Sequence, residues 1–290
     1  MDVSVIIVNY NTSSLTLQCI NSLISHTSRI SYEIIVVDNH SQDNSYDVLS
    51  KVKGITYIYL DSNLGFGAAN NIGISKSTGK YVFFLNSDTI LLNNALEILY
   101  DFINKSPDNI AGVGAYLLNL DNARVHSGGD FPSLINQISF LDQLYNQQKI
   151  NYTKPYSIDY ITGADLLVRR CVIDKHGAFD ENFFMYYEET DMQKRYHNAG
   201  YKFILVPDAD IIHLEGGSFS SEKKLPINKL IMQLKSRYLY FKKNSSKTYY
   251  FFFRILYSII MFVPILRLKC TKSEKTKYLN TLFFYKPIIK

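Results

Sequence analysis

Apolar residues in the first half of the chain fall into short continuous runs, and each run gives way to a stretch with helical spacing. Residues 3–9 read as a strand and 13–25 as a helix, 32–38 as a second strand and 44–51 as its helix. The pattern repeats with a strand at 55–60 and a helix rich in small residues at 66–77. It repeats again with a strand at 81–85 and a helix at 93–104. Runs apolar on both faces, separated by helices, predict an α/β domain whose mostly parallel sheet is covered on both sides. After Ile110 the pattern is mixed. Residues 112–119 read as a strand and 123–132 as a loop, and the polar, Gln-rich stretch 140–156 fits either a helix or a mobile segment. Residues 158–170 read as a strand re-entering the core, 188–199 as a helix stopped by Gly200, and 201–206 as a last strand.

Charge divides the chain where this pattern ends. Residues 223–290 hold sixteen Lys or Arg and one acid, Glu274, whereas 1–222 hold fifteen bases and twenty-five acids. A boundary near 222 is therefore expected, with an acidic body followed by a basic tail suited to a polyanion. Inside the tail, residues 249–266 are strongly apolar and bracketed by lysines and arginines. With Arg254 inside and Pro264 near its end, this run sits at the short limit for a spanning helix and suits an interfacial helix on an anionic leaflet better. A helix packed on the body is the alternative. Its apolar character argues against nucleic acid as the partner. The three cysteines match no disulfide or metal spacing, and the first residues lack a signal peptide's basic stretch and cleavage site. The expectation is a cytoplasmic protein, peripheral on the plasma membrane.

Several polar residues fall at predicted strand ends: Asn9 and Asn11, Asp38, Asn63, then Asn86, Ser87 and Asp88. In a parallel sheet those ends share one edge, where ligands bind. Asp88 could hold a divalent cation against a phosphate, and Asp38 could accept hydrogen bonds from a ribose or base. Each, taken singly, is equally a turn residue or helix cap. Gly65 and Gly67 open a helix and could bring its N-terminus close to a diphosphate, or simply let helix and sheet pack closely. They do not complete a dinucleotide fingerprint, which removes the oxidoreductase reading. Glu188 and Glu189 follow a cluster of aromatics, and partial burial beside a like charge would suit a general base. A solvated acidic helix start is the plainer alternative. Asp191 and Arg195 are spaced as an i,i+4 ion pair. His213 follows a strand and precedes Glu215-Gly216-Gly217-Ser218, and neutral imidazole beside Asp88 suits Mn²⁺ or a similar ion.

The order of these pieces resembles the family 2 inverting glycosyltransferases of GT-A fold, within them the bacterial rhamnosyltransferase-like branch. The resemblance is carried by 3–11, 33–39, the Asn-Leu-Gly-Phe-Gly-Ala-Ala-Asn-Asn-Ile-Gly run at 63–73 that includes Asn71, and Leu-Asn-Ser-Asp at 85–88. Gly163-Ala164, the 183–191 stretch and His213 complete it. It implies that Asp38 contacts the nucleotide and that Asp88 and His213 hold Mn²⁺ or Mg²⁺. Glu189, with Glu188 as alternative, would deprotonate the acceptor hydroxyl. A nucleotide-sugar donor and a glycan or lipid-linked acceptor for cell-envelope polysaccharide follow from it. Two departures stand out: Asn86 replaces the first acid of an Asp-x-Asp motif, and Glu189 replaces the Asp of a Glu-Asp pair. They motivate the other reading, a sugar-nucleotide-binding scaffold subunit without catalysis.

Overall fold

The structure, a computed structural model, describes residues 1–137, 153–214, 227–268 and 270–289. The chain alternates β1 (Val3–Asn9), α1 (Ser13–His26), β2 (Tyr32–Asp38), α2 (Ser45–Leu49), β3 (Ile55–Tyr59), α3 (Phe66–Lys76) and β4 (Tyr81–Asn86). Successive side chains of a strand point to opposite faces. In β1, Val3, Val5 and Ile7 accordingly enter the apolar layer under α1 and α4 (Ala95–Lys105), while Ile6 enters the layer under α3. Both faces are thereby covered, which is why the strands read as unbroken apolar runs.

The remaining strands are β5 (Thr89–Leu91), β6 (Ile110–Leu118), β7 (Gly128–Gly129), β8 (Tyr156–Ile158), β9 (Tyr160–Ile161), β10 (Asp165–Arg169) and β11 (Lys202–His213). The main sheet has the order β3-β2-β1-β4-β10-β6-β11-β5, with β8 added against β11. Strands β1 to β4, β6 and β11 run one way; β5, β8 and β10 run against them. The sheet is therefore mostly parallel, as expected.

The sequence pattern departs from the structure where polar residues interrupt it. The single strand expected over 158–170 is three short ones followed by α5 (Arg170–His176), because residues 162–164 turn the chain so that β10 can run antiparallel to β4. The strand expected to stop at Val206 continues to His213 through a register shift between Val206 and Asp210. Pro207 lacks a donor and is tolerated at such an irregularity. The loop expected over 123–132 contributes Gly128–Gly129, paired with β9. A short β5 precedes α4, which begins at Ala95.

After α6 (Glu188–Asn198) and β11, the basic tail forms α7 (Ile227–Asn244), α8 (Lys247–Arg267) and α9 (Lys272–Phe284). These three helices share an apolar cluster with Phe183, which lies before α6. Most of the expected 140–156 segment, the boundary near 222 and the 215–218 stretch lie outside the described residues.

Candidate active site

The carboxyl ends of β1, β2 and β4 lie side by side, with Asn9 in register with Asp38 and Val8 with Asn86. Because β10 runs the other way, it begins where β4 ends. Asp165 stands opposite Leu85, and the Asn86 N–H donates to Ala164 O at 2.9 Å. β11 reaches the same edge with its last residue, His213, opposite Thr89.

At that edge His213 Nε2 lies 3.3 Å from Asp88 Oδ1 and 3.4 Å from Asn86 Nδ2. The Leu214 N–H fixes the turn by donating to Asp88 O at 2.9 Å. Among the described residues no cluster of three or more His, Cys, Asp or Glu side chains could hold a metal. The residues nonetheless fit a hard divalent cation. One carboxylate oxygen and one imidazole nitrogen converge, and Mg²⁺-type sites commonly take one or two carboxylates and complete their shell with substrate phosphates and water.

The two glutamates open α6. Glu188 is buried and Glu189 half-buried, and Oε2 of each is buried with no hydrogen-bond partner. Burial raises both carboxyl pKa values, and the charge of Glu189 lifts Glu188 further. Tyr186 and Tyr187, immediately before them, have φ of 70° and 69°. Two consecutive non-glycine residues in the left-handed region are unfavourable on their own and need outside support.

That support comes from both sides. Gly65 has φ +88°, and a Cβ there would sit 2.1 Å from Phe184 O. The Phe66 N–H donates to the same oxygen at 2.9 Å. From the tail, Ser236 Oγ donates to Met185 O at 2.7 Å. Arg237 Nε donates to Tyr187 OH at 2.9 Å, and Tyr187 OH to Gln137 Oε1 at 2.6 Å. Lys243 Nζ bridges Asp180 Oδ2 and Asp191 Oδ2 at 2.6 and 2.7 Å. The expected Asp191–Arg195 pair is present at 3.4 Å.

Gly163 links the two acid groups. A Cβ there would meet the Phe66 ring at 3.3 Å and Glu189 Cβ at 3.7 Å. Glu189 thus flanks the residue before Ala164, whose carbonyl holds Asn86. Glu189, Asn86, Asp88 and His213 belong to the same end of the sheet.

The other sequence candidates have different surroundings. The Asn9 amide donates to Asp38 Oδ2 and Ser41 Oγ and accepts from Thr12 and Thr16. Its four hydrogen-bonding positions are filled, so in this geometry it holds the strand ends together and has none left for a donor substrate. Asp38 is fully buried and accepts from Asn9, the Ser41 N–H and Tyr57 OH. Asn63 Oδ1 accepts from Asn39 and the Gly65 N–H. The N–H groups of Gly65 and Phe66, expected near a diphosphate, are therefore occupied inside the protein. Gly67 is packed too, its Cβ position 3.0 Å from Phe179 Cβ and 3.4 Å from Glu188 Cβ. Asn71 is bonded to both backbone polar groups of Phe179 and to Glu181, away from the carboxyl edge. Asn11 accepts from the Gln42 N–H at 2.6 Å, and Ser87 Oγ meets Thr12 Oγ1 at 3.2 Å. These residues build the frame around the acids.

Sequence reasoning missed Asp165. It is fully buried, with one oxygen accepting from the Ala115 N–H and the other unpartnered, and burial lifts its pKa well up. An acid inside the apolar run Ala164-Asp165-Leu166-Leu167-Val168 was its signal. The tail residues Arg237 and Lys243 carried no local signal at all, since their partners lie far away in the chain.

The family description "Glycosyl transferase family 2" matches residues 4–177. An uncharacterized glycosyltransferase of Rickettsia bellii is 35% identical over 144 residues, covering 46% of this chain and 20% of that protein. The N-acetylglucosaminyl-diphospho-decaprenol L-rhamnosyltransferase of Mycobacterium tuberculosis is 24% identical over 230 residues, 71% of this chain and 73% of that protein. Among solved structures, GalNAc-T7 with UDP, GalNAc and Mn²⁺ superposes with a TM-score of 0.60 at 18% identity, over 83% of this chain and 48% of that one. This likeness gives the fold, that of the GT-A glycosyltransferases. With its strand order, strand-end acids and family match, the chain belongs to glycosyl transferase family 2.

Proposed function

We propose that the protein is an inverting glycosyltransferase that moves one sugar from a nucleoside-diphosphate donor to a hydroxyl of a lipid-linked surface-glycan precursor. The observation that carries this reading is the convergence described above. A glutamate pair whose Oε2 atoms are buried and unpartnered and a carboxylate–imidazole pair share one sheet edge, joined through Gly163 and Ala164.

In this reading Glu189 is the base. Burial holds its carboxyl above the ordinary glutamate value, toward the pH at which a base must work. Glu189 Oε2 takes the proton of the acceptor hydroxyl as that oxygen attacks the anomeric carbon. The bond from carbon to the diphosphate oxygen breaks on the opposite face, the configuration inverts, and the nucleoside diphosphate leaves. Asp88 and His213 would hold Mn²⁺ or Mg²⁺, which when bound offsets the negative charge on the leaving diphosphate. Asp38 acts through the frame it holds at the end of β2. Rhamnose is the first sugar to test, since the Mycobacterium tuberculosis relative is named for it.

The same reading places the enzyme peripherally on the cytoplasmic face of the plasma membrane. α8 is 21 residues long with mean hydropathy 1.8, and only 22% of its apolar window is buried. Phe253, Tyr257 and Ile265 pack inward, while Phe252, Leu256, Ile259 and Val263 recur at helical spacing on an exposed side. Its packed side is shared with lysine-bearing neighbours, which favours lying in the interface over spanning. The test of the function is transfer by purified protein from a panel of nucleotide sugars. Glu189→Gln is expected to lose turnover while still binding donor. Full turnover in that variant would remove Glu189 as the base, and donor binding by wild type without transfer to any acceptor would favour the scaffold reading.

A further inference from the structure

A cavity lies in the basic tail. It measures about 610 Å³, within the usual range of small-molecule sites, and is formed by α8 and the chain around the end of α9. Its apolar walls include Phe251, Ile255, Ile259 and Phe283. Lys242, Lys247, Arg254 and Lys286 line it as well, and no acid does. The only acid in the tail, Glu274, is committed to a capping box with Thr271. Lys242 Nζ donates to Pro287 O at 2.7 Å and Arg254 Nη2 to Phe283 O at 3.1 Å. These bonds hold the cavity together across its width, and among the described residues no carboxylate forms an ion pair with the four cations.

Neither half of this lining makes sense for a ligand of one character. A nucleotide or a free phosphate has nothing to gain from phenylalanine and isoleucine walls, and a purely apolar molecule has no use for four cations. The walls are also continuous with the outside: Phe251, Ile255 and Ile259 belong to the exposed apolar surface of α8, being 59%, 43% and 64% accessible. A ligand can therefore enter from a membrane without crossing water.

We propose that this cavity seats a single lipid bearing a phosphate or diphosphate head, its head against the four cations and its hydrocarbon chain along Phe251, Ile255 and Ile259. The inference deepens the lipid-linked acceptor reading, because such an acceptor has this chemistry, yet it concerns binding and can be tested without any transfer. It also differs from general adhesion of α8 to a bilayer, since it predicts one saturable site.

The experiment is a calorimetric titration of the full chain in mild detergent with farnesyl diphosphate, farnesol and inorganic diphosphate. Farnesyl diphosphate should bind one to one and about tenfold or more tightly than either half alone. Lys247→Glu/Lys286→Glu should weaken it by a similar factor, and so should Ile259→Glu, while Val263→Glu, outside the lining, should not. Absence of saturable binding overturns the proposal. So does equal affinity for farnesol or for inorganic diphosphate. Binding that UDP displaces and the lysine reversals leave unchanged would put the ligand in the donor site and likewise overturn it. Donor hydrolysis measured on the same variants reads the sugar-transfer function separately, so loss of one result does not imply loss of the other.

Discussion

A carboxylate that takes a proton from a hydroxyl works best when its pKa is lifted toward the working pH, and Glu189 is lifted by burial. The base form exists only above the raised value, so the acid limb of kcat/KM should fall at a higher pH than the ordinary glutamate value of about 4.3. Glu188→Gln should keep that limb above the ordinary value, because the burial that raises Glu189 remains. A pH–rate profile of both forms checks this, and an acid limb at the ordinary value would argue against Glu189. The same shift acts on stability. A carboxyl raised in the folded state favours folding below its ordinary pKa, and that contribution is lost as pH rises through the raised value. Melting temperatures of Glu189→Gln should therefore decline less toward alkaline pH than those of wild type. A second residue-scale test concerns Gly65. An added methyl would collide with Phe184 O and hold a strained φ, so Gly65→Ala should cost about 1–3 kcal/mol by denaturant unfolding and lower turnover by shifting the 184–189 segment. At this scale the sequence reveals positions better than roles. Apolar runs that stop at Asn9 and Asp38 announce strand ends, but that both side chains are consumed by Ser41, Thr16 and Tyr57 depends on contacts across the fold.

The elements show why the basic tail belongs with the catalytic body. α7 meets the segment before α6 through Ser236, Arg237 and Lys243 and the first turn of α6 through Lys243 and Asn244, and Phe183 enters the apolar cluster of the tail. Asp191 is fully buried, so removing its lysine strands a charge that Arg195 only partly answers. Lys243→Met should destabilise the protein by roughly 3 kcal/mol. It should also lower kcat more than it raises the KM for donor, because it loosens the base and leaves the Asp88 side alone. Lys243→Arg should recover part of both effects, and a variant with unchanged kcat would show that α7 supports the fold without positioning the base. The boundary expected near 222 arose from composition, which shifts sharply there and carries no record of which helix touches which loop. Strand lengths were hidden for a related reason. In β11 the Pro207-Asp208 pair looks like a turn, yet the chain passes it with a register shift and goes on to deliver His213 to the site.

On the scale of the whole molecule, the basic tail carries both the excess of positive charge and the long exposed apolar helix. The tail is strongly basic where residues 1–222 are net acidic, and its longest helix leaves Phe252 and Val263 55% and 49% accessible. Exposed apolar surface of this extent marks an interaction face, and basic residues beside it point to an anionic bilayer. The sequence showed the apolar run and its flanks; it could not show that one stripe, through Phe253 and Tyr257, is spent on packing and the opposite one is left over. Full-length protein should float with vesicles containing anionic phospholipid and less so with neutral ones, and added salt should reduce the difference between them as the lysines are screened. Phe252→Glu/Val263→Glu, which leaves both the packed stripe and the cavity lining intact, should keep the protein in the lower fractions while its donor hydrolysis in solution persists. Wild-type protein that stays at the bottom of the gradient would remove the membrane from the account, and a double variant that floats as well as wild type would move the contact off α8. If flotation is lost with hydrolysis intact, the tail has two separable tasks, holding the base from one side and meeting the lipid surface with the other.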